Sequence, residues 1–279
     1  MPEGPEIRRA ADRIERSLAG SVIQDVQLTL PGLRPFRSAL IGARVTGVDT
    51  RGKAMLTRFD NGLTLYSHNQ LYGRWYITRR NALPKTRRSL RVALHGKTHS
   101  AWLYSATDVE ILTEAQIDRH PFLRKLGPDV LDSELKPRDI RMRLEMQRFR
   151  RRNLAALYLD QTFLAGVGNY LRSEILFTAG LHPAARPKAL DSTDLQRLAR
   201  ATLTVSRRAY ELKGVTITPK LMESLERAGQ RYQQYRHWVF ARSDEPCRRC
   251  ETGVERELFA GRAVFFCPSC QAEGGSKEN

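Results

Sequence analysis

The sequence has no long uninterrupted apolar run. No stretch reaches the length of about 18 apolar residues that is typical of a membrane-spanning helix. The richest candidate, LAALYLDQTFLAGVGNYL, is interrupted by Asp160, Gln161 and Asn169. The opening MPEGPEIRRAADR is charged where a signal peptide would have its apolar core. We therefore predict a cytoplasmic protein that neither spans a membrane nor carries a signal peptide.

Cysteine is also scarce, and acidic residues are outnumbered by basic ones. Only 4 of the 279 residues are cysteine, and in a reducing compartment cysteines are more often metal ligands than disulfide partners. Lys and Arg number 47 against 30 Asp and Glu, so the formal net charge is +17. Such a charge favours a polyanionic partner or an anionic membrane. Without an apolar span, the membrane is the weaker of these two partners.

The pattern of elements changes along the chain and predicts an α+β, multidomain protein. One helix opens the fold, because apolar residues recur at helical spacing and Gly20 is placed to cap its end; these residues are Ile7, Ala10, Ala11, Ile14 and Leu18. From Val22 to about Thr113 at least six short β-rich runs follow, with hairpin turns in FDNGLTL and LHGKTHS. Their number predicts a β-sandwich or a small barrel.

The second half of the chain is predicted to be mainly helical from Pro137 to Leu212. Its last helix opens with Ser192 or Thr193 as the N-cap. The run RFRRR at 148–152 is interpreted as a solvated or phosphate-facing helix surface. Residues 213–236 give a weak, mixed pattern that is interpreted as a mobile connection.

Four cysteines near the end of the chain form the strongest local motif. CRRC and CPSC are two C-x2-C pairs separated by 16 residues, a spacing typical of a tetrahedral structural zinc site; the ligands would be Cys247, Cys250, Cys267 and Cys270. Disulfides or free thiols are the alternatives. The residues between the pairs predict a hairpin that turns at Ala260 and Gly261, with Arg262 at its tip as a solvated side chain or a phosphate contact.

Pro2 follows the initiator methionine directly. It is interpreted either as an ordinary first residue of a helix or, once Met1 is removed, as a free secondary amine able to attack a carbonyl carbon. Lys53, in TRGKAM, is either a solvated charge at a strand end or a functional cation.

Two loops suggest contacts with nucleic acid. In YSHNQLYG, residues Gln70, Leu71 and Tyr72 are interpreted as core packing or as a wedge inserted into a base stack. His68, just before them, is interpreted as a structural histidine. In LDQTFLAGVGNYLRSEI, a glycine-rich turn leads into a helix headed by Asn169, an arrangement that suits a phosphate.

Together these motifs resemble the formamidopyrimidine-DNA glycosylase and endonuclease VIII group of bifunctional base-excision repair enzymes. The resemblance extends in order from MPEGPEI through TRGKA, YSHNQLYG, HPFLRKLGPDVL and LDQTFLAGVGNYLR to the four-cysteine ribbon. It implies an N-terminal helix with a two-sheet β-sandwich, a helix–two-turns–helix domain and a zinc ribbon. MPEGPE and QLY are similar to the endonuclease VIII branch, which prefers oxidised pyrimidines.

The resemblance also implies a role for each matching residue. Pro2 matches the amine nucleophile that forms a Schiff base at C1′, and Glu3 matches the acid that assists opening of the sugar ring. Lys53 matches a general acid and phosphate contact, and Arg262 an arginine linked to the second elimination. The DNA-contact positions correspond to Gln70, Leu71, Tyr72, Lys125 and Asn169. Arg124 stands beside Lys125 and is an alternative to it.

The resemblance implies an enzyme that removes oxidised pyrimidines and nicks the strand by β,δ-elimination. The alternatives are the same chemistry on oxidised purines, or a zinc-ribbon protein that binds DNA without catalysis. The expected partner of the monomer is double-stranded DNA with oxidised bases or abasic sites, in a bacterial-type cytoplasm at the nucleoid, with one zinc ion and no membrane. The expected domains are 1–125 (catalytic sandwich), 126–236 (helical), 237–271 (ribbon) and 272–279 (disordered tail).

Overall fold

The computed structural model describes residues 2–259 and 261–273. Within these residues the chain divides into two compact units, one ending at Lys125 and the other beginning at Leu126. The first unit is mainly β-structure and the second mainly helical, so the predicted α+β class is confirmed. Within the described residues, no helix is both long enough and apolar enough to span a membrane.

Helix α1, Gly4–Leu18, opens the first unit as predicted. Its five periodic apolar residues are all buried. Glu3 is the N-cap, and Pro5 occupies the first turn, where a missing N–H costs nothing. Gly20 follows the helix in the left-handed region with φ of 76°, a conformation that glycine adopts without a Cβ penalty.

Eight strands then form two antiparallel sheets. In chain order the strands are β1 (Asp25–Leu28), β2 (Val45–Arg51), β3 (Ala54–Phe59), β4 (Leu63–His68), β5 (Arg74–Arg79), β6 (Leu90–His95), β7 (His99–Tyr104) and β8 (Asp108–Thr113). One sheet has the order β2-β3-β4-β8 and the other β1-β6-β7-β5. Both predicted hairpins, β3–β4 and β6–β7, are present. The β-sandwich expectation is confirmed.

The core of the first unit combines α1 with residues from both sheets. Ile14 and Leu18 of α1 share one apolar cluster with Met55, Leu65 and Leu103. Short helices occupy the connections: α2 (Arg37–Leu40) precedes β2, and α3 (Glu114–Arg119) follows β8.

The second unit contains six helices in its described part. They are α4 (Pro137–Glu145), α5 (Leu154–Leu157), α6 (Asn169–Ala179), α7 (Ser192–Glu211), α8 (Pro219–Arg227) and α9 (Tyr232–Tyr235). Helix α6 is buried on nearly all sides, and it packs in the main apolar cluster with α4, α5 and α7.

Three details of the second unit differ from the predictions. The N-cap of α7 is Asp191, whose side chain accepts a hydrogen bond from the Asp194 N–H at 2.7 Å; Ser192 is already helical. Residues 148–152 form turns instead of a helix, because α4 ends at Glu145 and Met146 leaves the helical region with ψ of 139°. Phe149 is buried, and Arg148 lies over its ring. Residues 213–236 contain two helices, α8 and α9, which pack part of their apolar side chains on the cluster around Trp238.

The four-cysteine region ends the described chain as a hairpin. Strands β9 (Glu255–Phe259) and β10 (Arg262–Phe266) are antiparallel, with Phe259 opposite Arg262. Ala260, one of the two predicted turn residues, lies outside the described residues, as do 274–279 of the predicted tail. Gly261 has φ of 73° and fits the predicted turn.

Candidate DNA-processing site

Pro2 lies before α1 and outside it. The helix begins at Gly4 with Glu3 as its N-cap, so Pro5 fills the helix-start position that had been one interpretation of Pro2. The Glu3 side chain is held by a capping box: it accepts from the backbone N–H of Glu6, while the Glu3 N–H donates to the Glu6 carboxylate at 3.0 Å. Glu3 is 2% exposed. A partly exposed Pro2 therefore precedes a fixed, buried carboxylate.

Helix α1 points its N-terminus toward the turn between β2 and β3. Near the end of the helix, Gly20 N–H donates to the Val45 carbonyl at the start of β2. Further back along the helix, the Arg8 guanidinium donates to the Val48 carbonyl at 2.9 Å. The helix and the strand therefore run in opposite directions, and continuing this course brings the start of α1 toward the end of β2.

Lys53 lies in that turn. Arg51 and Ala54 face each other across the hairpin, which leaves Gly52, with φ of 62°, and Lys53 as its two turn residues. Lys53 is only 8% exposed, whereas lysines are rarely buried to this extent unless partnered. Its burial argues against the interpretation of Lys53 as a merely solvated charge.

His68 connects Lys53 to the next loop. It ends β4 directly opposite Ala54. Burial lowers the pKa of His68, the nearby Lys53 cation lowers it further, and Asp108 acts in the opposite direction. The ring of Phe122 packs edge-on against the imidazole, with centroids 5.3 Å apart. His68 is thus a packed, neutral side chain, as expected for a structural histidine.

The Phe122 contact brings a basic turn to the same end of the sheet. The turn comprises Leu123–Lys125 and follows Phe122 directly. Arg124 and Lys125 are both exposed, so the alternative between them as a phosphate contact stays open.

The predicted wedge projects from the end of β4. Leu71 is 57% exposed and Tyr72 is 68% exposed, which excludes the core-packing interpretation for both. The backbone beneath them is fixed: Gln70 has φ of 48°, and its side-chain oxygen accepts from the Thr107 hydroxyl at 2.9 Å. The Gly73 N–H closes the loop on the Asn69 carbonyl at 2.7 Å. Two exposed apolar side chains thus stand on a rigid loop.

Asn169 is the first residue of α6 and lies beside a buried arginine in the second unit. Arg172 has no exposed surface, and its guanidinium donates to the Asn169 side-chain oxygen at 2.6 Å. The same group donates to the carbonyls of Ala155 at 3.0 Å and Ala263 at 2.7 Å. The Asn169 oxygen is therefore engaged, whereas no acceptor among the described residues takes its amide N–H groups, which can donate to a ligand.

Arg262 begins β10 and its side chain is exposed. Its backbone carbonyl and that of Ala263 both accept from Arg172. A single buried cation therefore links the start of α6, which carries Asn169, to the turn end of the hairpin, where Arg262 lies.

A second buried charge organises the neighbouring segment. Glu174, wholly buried in α6, accepts from the backbone N–H groups of Trp238, Val239 and Phe240 at 2.8–2.9 Å. The Thr216 hydroxyl also donates to it. Four donors satisfy one carboxylate, which meets the requirement that a buried charge be fully hydrogen-bonded.

Our reading of the sequence missed Arg172 and Glu174. The signal that could have identified them is the triplet Arg-Ser-Glu within the otherwise apolar run NYLRSEILF. All three residues of that triplet are fully buried. Charged residues in a helix that is apolar on every side must find partners inside the protein.

The cysteines meet the geometric requirements of a zinc site. The four sulfur atoms lie within 4.8 Å of one another, and three of the pairs are 3.4–3.9 Å apart. A tetrahedral ion with Zn–S bonds of about 2.3 Å places sulfurs about 3.8 Å apart. A disulfide bond would require about 2.05 Å. The four thiolates therefore fit one structural zinc ion, whose role is to hold the two knuckles and the hairpin together.

The fold and these sites define a class of protein: a helix followed by a β-sandwich, and then a helical unit with a four-cysteine zinc ribbon. Three family models match the chain. They describe the formamidopyrimidine-DNA glycosylase N-terminal domain at residues 1–108, the H2TH domain of the same enzymes at 126–220, and a zinc finger found in FPG and IleRS at 244–272.

Proteins similar over the full length identify the branch. Endonuclease 8 of Escherichia coli strain K12 / DH10B is 47% identical over 271 residues, covering 97% of this chain and all of that protein. Endonuclease 8 of strain O6:K15:H31 is 46% identical with the same coverage. The chain belongs to the formamidopyrimidine-DNA glycosylase and endonuclease VIII family, in its endonuclease VIII branch.

Solved structures have the same fold. Lactococcus lactis Fpg (MutM), in a complex with DNA containing N7-benzyl-Fapy-dG, superposes with a TM-score of 0.81 at 22% identity, covering 98% of this chain and all of that one. Fpg from the same organism, in a complex with DNA containing an abasic site, gives 0.81 at 23% identity, with coverage of 97% and 100%.

Proposed function

We propose that this chain is a bifunctional DNA glycosylase and AP lyase of base excision repair that acts through an N-terminal proline Schiff base. The observation that carries the proposal is the position of Pro2, outside α1 and next to the buried, capped carboxylate of Glu3. Lys53 and the wedge Gln70–Tyr72 belong to the sheet end toward which α1 points. A protein that only bound DNA would have no need of this arrangement.

The proposed nucleophile is the secondary amine of Pro2, which becomes free when Met1 is removed. An α-amino group has a reference pKa near 8, against about 10.4 for lysine, so its neutral fraction at pH 7 is roughly a few hundred times larger. As the Pro2 nitrogen bonds to C1′, the glycosidic bond breaks, and the base leaves with the proton that the Pro2 nitrogen gives up. Glu3 in its protonated form then gives its proton to O4′ as the C1′–O4′ bond opens, which leaves a cationic iminium on Pro2 and a carboxylate on Glu3.

The iminium is the electron sink for strand cleavage. Loss of a C2′ proton breaks the C3′–O bond and releases the 3′ phosphate, and a second elimination releases the 5′ phosphate. Lys53 is proposed as a general acid and phosphate contact, and Arg262 as the group that serves the second elimination. Water then hydrolyses the iminium and frees Pro2.

Access to C1′ requires that the damaged nucleotide leave the base stack. The exposed side chains of Leu71 and Tyr72, with Gln70, are proposed to fill the space it vacates. Lys125, or Arg124 beside it, and Asn169 are proposed to bind backbone phosphates. These contacts are electrostatic and independent of sequence, as a net charge of +17 favours.

Oxidised pyrimidines are the proposed substrates. Similarity to proteins named Endonuclease 8 over nearly the whole chain supports this assignment, and oxidised purines are the alternative. We also propose that the enzyme acts as a cytoplasmic monomer, and we retain the division at 1–125, 126–236, 237–271 and 272–279 as its domain organisation.

Borohydride trapping on an abasic duplex tests the nucleophile. We expect a covalent protein–DNA adduct that peptide mapping assigns to Pro2, and a loss of turnover of at least 100-fold in Pro2→Gly. Pro5→Ala, which changes a proline of the same helix start but no amine, is the matched control and should retain activity. An adduct on Lys53 in the wild-type protein, or full activity with Met1 retained, would reject the mechanism.

Two further measurements separate the steps and the substrates. Glu3→Gln should lose excision of an oxidised base yet retain appreciable cleavage at a preformed abasic site, where the base is already gone. A panel of duplexes, each with one oxidised pyrimidine or one oxidised purine, gives the ranking of kcat/KM. Faster excision of the purines would replace the pyrimidine assignment without affecting the mechanism.

A further inference from the structure

A long segment of the first unit contains no acidic residue. Residues 61–107 comprise 47 positions with eight Lys or Arg and no Asp or Glu. The wedge lies within this segment. Elsewhere in the first unit acids are interspersed, and arginines such as Arg8 and Arg58 form ion pairs with them. The positive charge of the segment that contains the wedge is therefore not balanced by any carboxylate within that segment.

The connection between β5 and β6, residues 80–89, crosses one face of its sheet; we call it the strap. Strands β5 and β6 both pair antiparallel with β7, so they run parallel to each other and need a crossover. At one end the Arg80 N–H donates to the Thr98 carbonyl, and at the other the Ser105 N–H donates to the Ser89 carbonyl. The strap therefore extends along the whole of β7.

Side-chain hydrogen bonds hold the strap on the sheet face opposite the core. Trp102 of β7 donates its indole N–H to the Thr78 hydroxyl at 2.9 Å, and that hydroxyl donates to the strap carbonyl of Ala82 at 2.8 Å. Trp102 and Tyr104 belong to a small apolar cluster separate from the main core. The strap is thus anchored through its backbone, which leaves its charged side chains available.

The strap carries four cations, and none of them has an acidic partner in the described part of the chain. They are Arg80, Lys85, Arg87 and Arg88. Lys85, Arg87 and Arg88 are exposed. Positive charge concentrated on an anchored surface element, with no ion-pair partner among the described residues, is what a polyanion binds.

Arg88 joins the strap to the wedge. Its guanidinium donates to the backbone carbonyl of Tyr72 at 2.7 Å. Arg88 lies two residues before Leu90, the first residue of β6. Leu90 and Arg74 both pair with Tyr104, so β6 begins at the end of the sheet where β5 follows the wedge loop. The exposed cations Lys85 and Arg87 precede Arg88 closely in the sequence, and Arg88 contacts the wedge loop.

We propose that the strap is a second DNA-contacting element, whose Lys85 and Arg87 bind backbone phosphates of the duplex beside the wedge while Arg88 holds the wedge loop in place. The proposal rests on the assignment of Leu71 and Tyr72 as the wedge in the proposed function. An acidic protein would satisfy the same charges, but the exposed apolar side chains attached to the strap favour stacked bases, and hence DNA, as the partner.

The salt dependence of binding to an undamaged duplex tests the phosphate contacts without requiring catalysis. Each phosphate contact on duplex DNA contributes about 0.9 to the slope of log K against log salt. Lys85→Gln/Arg87→Gln should therefore lower the slope by about 1.8. Between 200 and 50 mM salt, the double variant should gain about 12-fold less affinity than the wild type.

The matched control is Arg16→Gln/Arg44→Gln. It removes two exposed charges from the end of α1 and the start of β2, the sheet end opposite the wedge. This variant should retain a slope close to that of the wild type. An unchanged slope in the strap variant, or equal losses of slope in both variants, would overturn the proposal. An unchanged slope would mean that the strap binds an acidic protein or no partner at all.

Arg88 is tested as a positioning residue by a different readout. Arg88→Lys keeps the charge but replaces the guanidinium that reaches the Tyr72 carbonyl, so excision from a duplex should fall about tenfold while cleavage of a preformed abasic site changes little. Equal effects on both substrates would reject the positioning role. If the wild-type protein cleaves no lesion yet the strap variant loses salt slope, the proposed function fails and the strap contact stands.

Discussion

At the scale of single residues, the buried charges of α6 fix the orientation of the groups that can donate hydrogen bonds to a ligand. Arg172 donates to the oxygen of Asn169 and to two carbonyls near the turn of the ribbon hairpin. An arginine suits this position because its planar fork presents five donors in fixed directions, whereas a lysine presents a single point charge. The orientation of a proposed phosphate contact thus depends on a residue that touches no solvent.

Replacing Arg172 tests this dependence. Arg172→Met leaves four carbonyl or amide oxygens without their donor, so we expect a loss of about 3 kcal/mol or more in the free energy of unfolding. DNA affinity should fall about tenfold, with Arg172→Lys recovering part of both. Thermal denaturation and DNA titration measure the two effects.

The matched control for Arg172 is Arg200→Met on α7, where the arginine is exposed. It should change stability by less than about 0.5 kcal/mol. A folded Arg172→Met protein with normal stability and affinity would show that Asn169 and the hairpin orient themselves without it.

At the scale of elements, the wedge is a loop whose backbone is fixed and whose side chains are exposed. Its rigidity comes from the bonds of Gln70 to Thr107 and of Gly73 to Asn69. A preorganised apolar loop loses little conformational entropy when it enters a base stack.

Leu71→Ala/Tyr72→Ala should impair excision from an intact duplex by at least tenfold, because that step requires expulsion of a stacked base. Cleavage of a preformed abasic site should fall much less, since no base remains to be expelled. Single-turnover rates on the two substrates give the comparison, and Met142→Ala, another exposed apolar residue, is the control. Equal losses on both substrates would contradict the wedge.

The zinc ribbon is the second element, and its packing depends on the bound metal. Cys247 and Cys267 are buried in a cluster with Phe177 and Trp238, so the knuckles that hold the metal also pack against α6. Loss of the ion is expected to loosen both the hairpin and this cluster.

Cys267→Ser should reduce the zinc content from one ion per chain and weaken DNA binding about tenfold or more, because the hairpin that carries Arg262 loses its fixed geometry. The first unit, with its own core, should stay folded. Metal analysis and DNA titration measure the effects, with Ser269→Ala in the same knuckle as the control. Full DNA binding by a verified zinc-free protein would refute this dependence.

At the scale of the whole molecule, burial of histidines makes stability depend on pH. Burial lowers the pKa of His95 in the first unit, and the nearby Arg80 lowers it further while Asp25 opposes. Burial also lowers the pKa of His237, well below its usual value, with Arg236 acting in the same direction. Both side chains are therefore neutral in the folded protein at neutral pH.

The sign of the pH effect follows from proton linkage. The unfolded chain protonates these histidines near pH 6.5, whereas the folded chain does so only at lower pH, so the unfolded state binds more protons in between. Stability should be complete above about pH 6.5 and fall as the pH drops below it. Melting temperatures at pH 7.5, 6.5 and 5.5 measure this loss, and His95→Gln/His237→Gln should reduce it. An identical pH profile for wild type and variant would contradict the assignment.

The sequence by itself determined features that depend on neighbouring positions. A helix, a tight turn and a metal knuckle are each specified within a few residues. The sequence therefore predicted helix α1, the β3–β4 and β6–β7 turns, and the metal site of the two C-x2-C pairs. The ordered motifs were also sufficient to identify the family. The site residues were found through that resemblance, since neither Lys53 nor Asn169 is distinctive by its spacing alone.

The tertiary structure decided what depends on packing between distant parts of the chain. It buried Lys53 beside His68, exposed Leu71 and Tyr72, and placed Arg172 and Glu174 inside α6 with partners up to 91 residues away in sequence. It also placed two helices, α8 and α9, within 213–236, because they pack on an apolar cluster that a local pattern does not reveal. Burial is a sum over contacts from the whole unit, so the charge, orientation and exposure of each site residue were settled only when the unit folded.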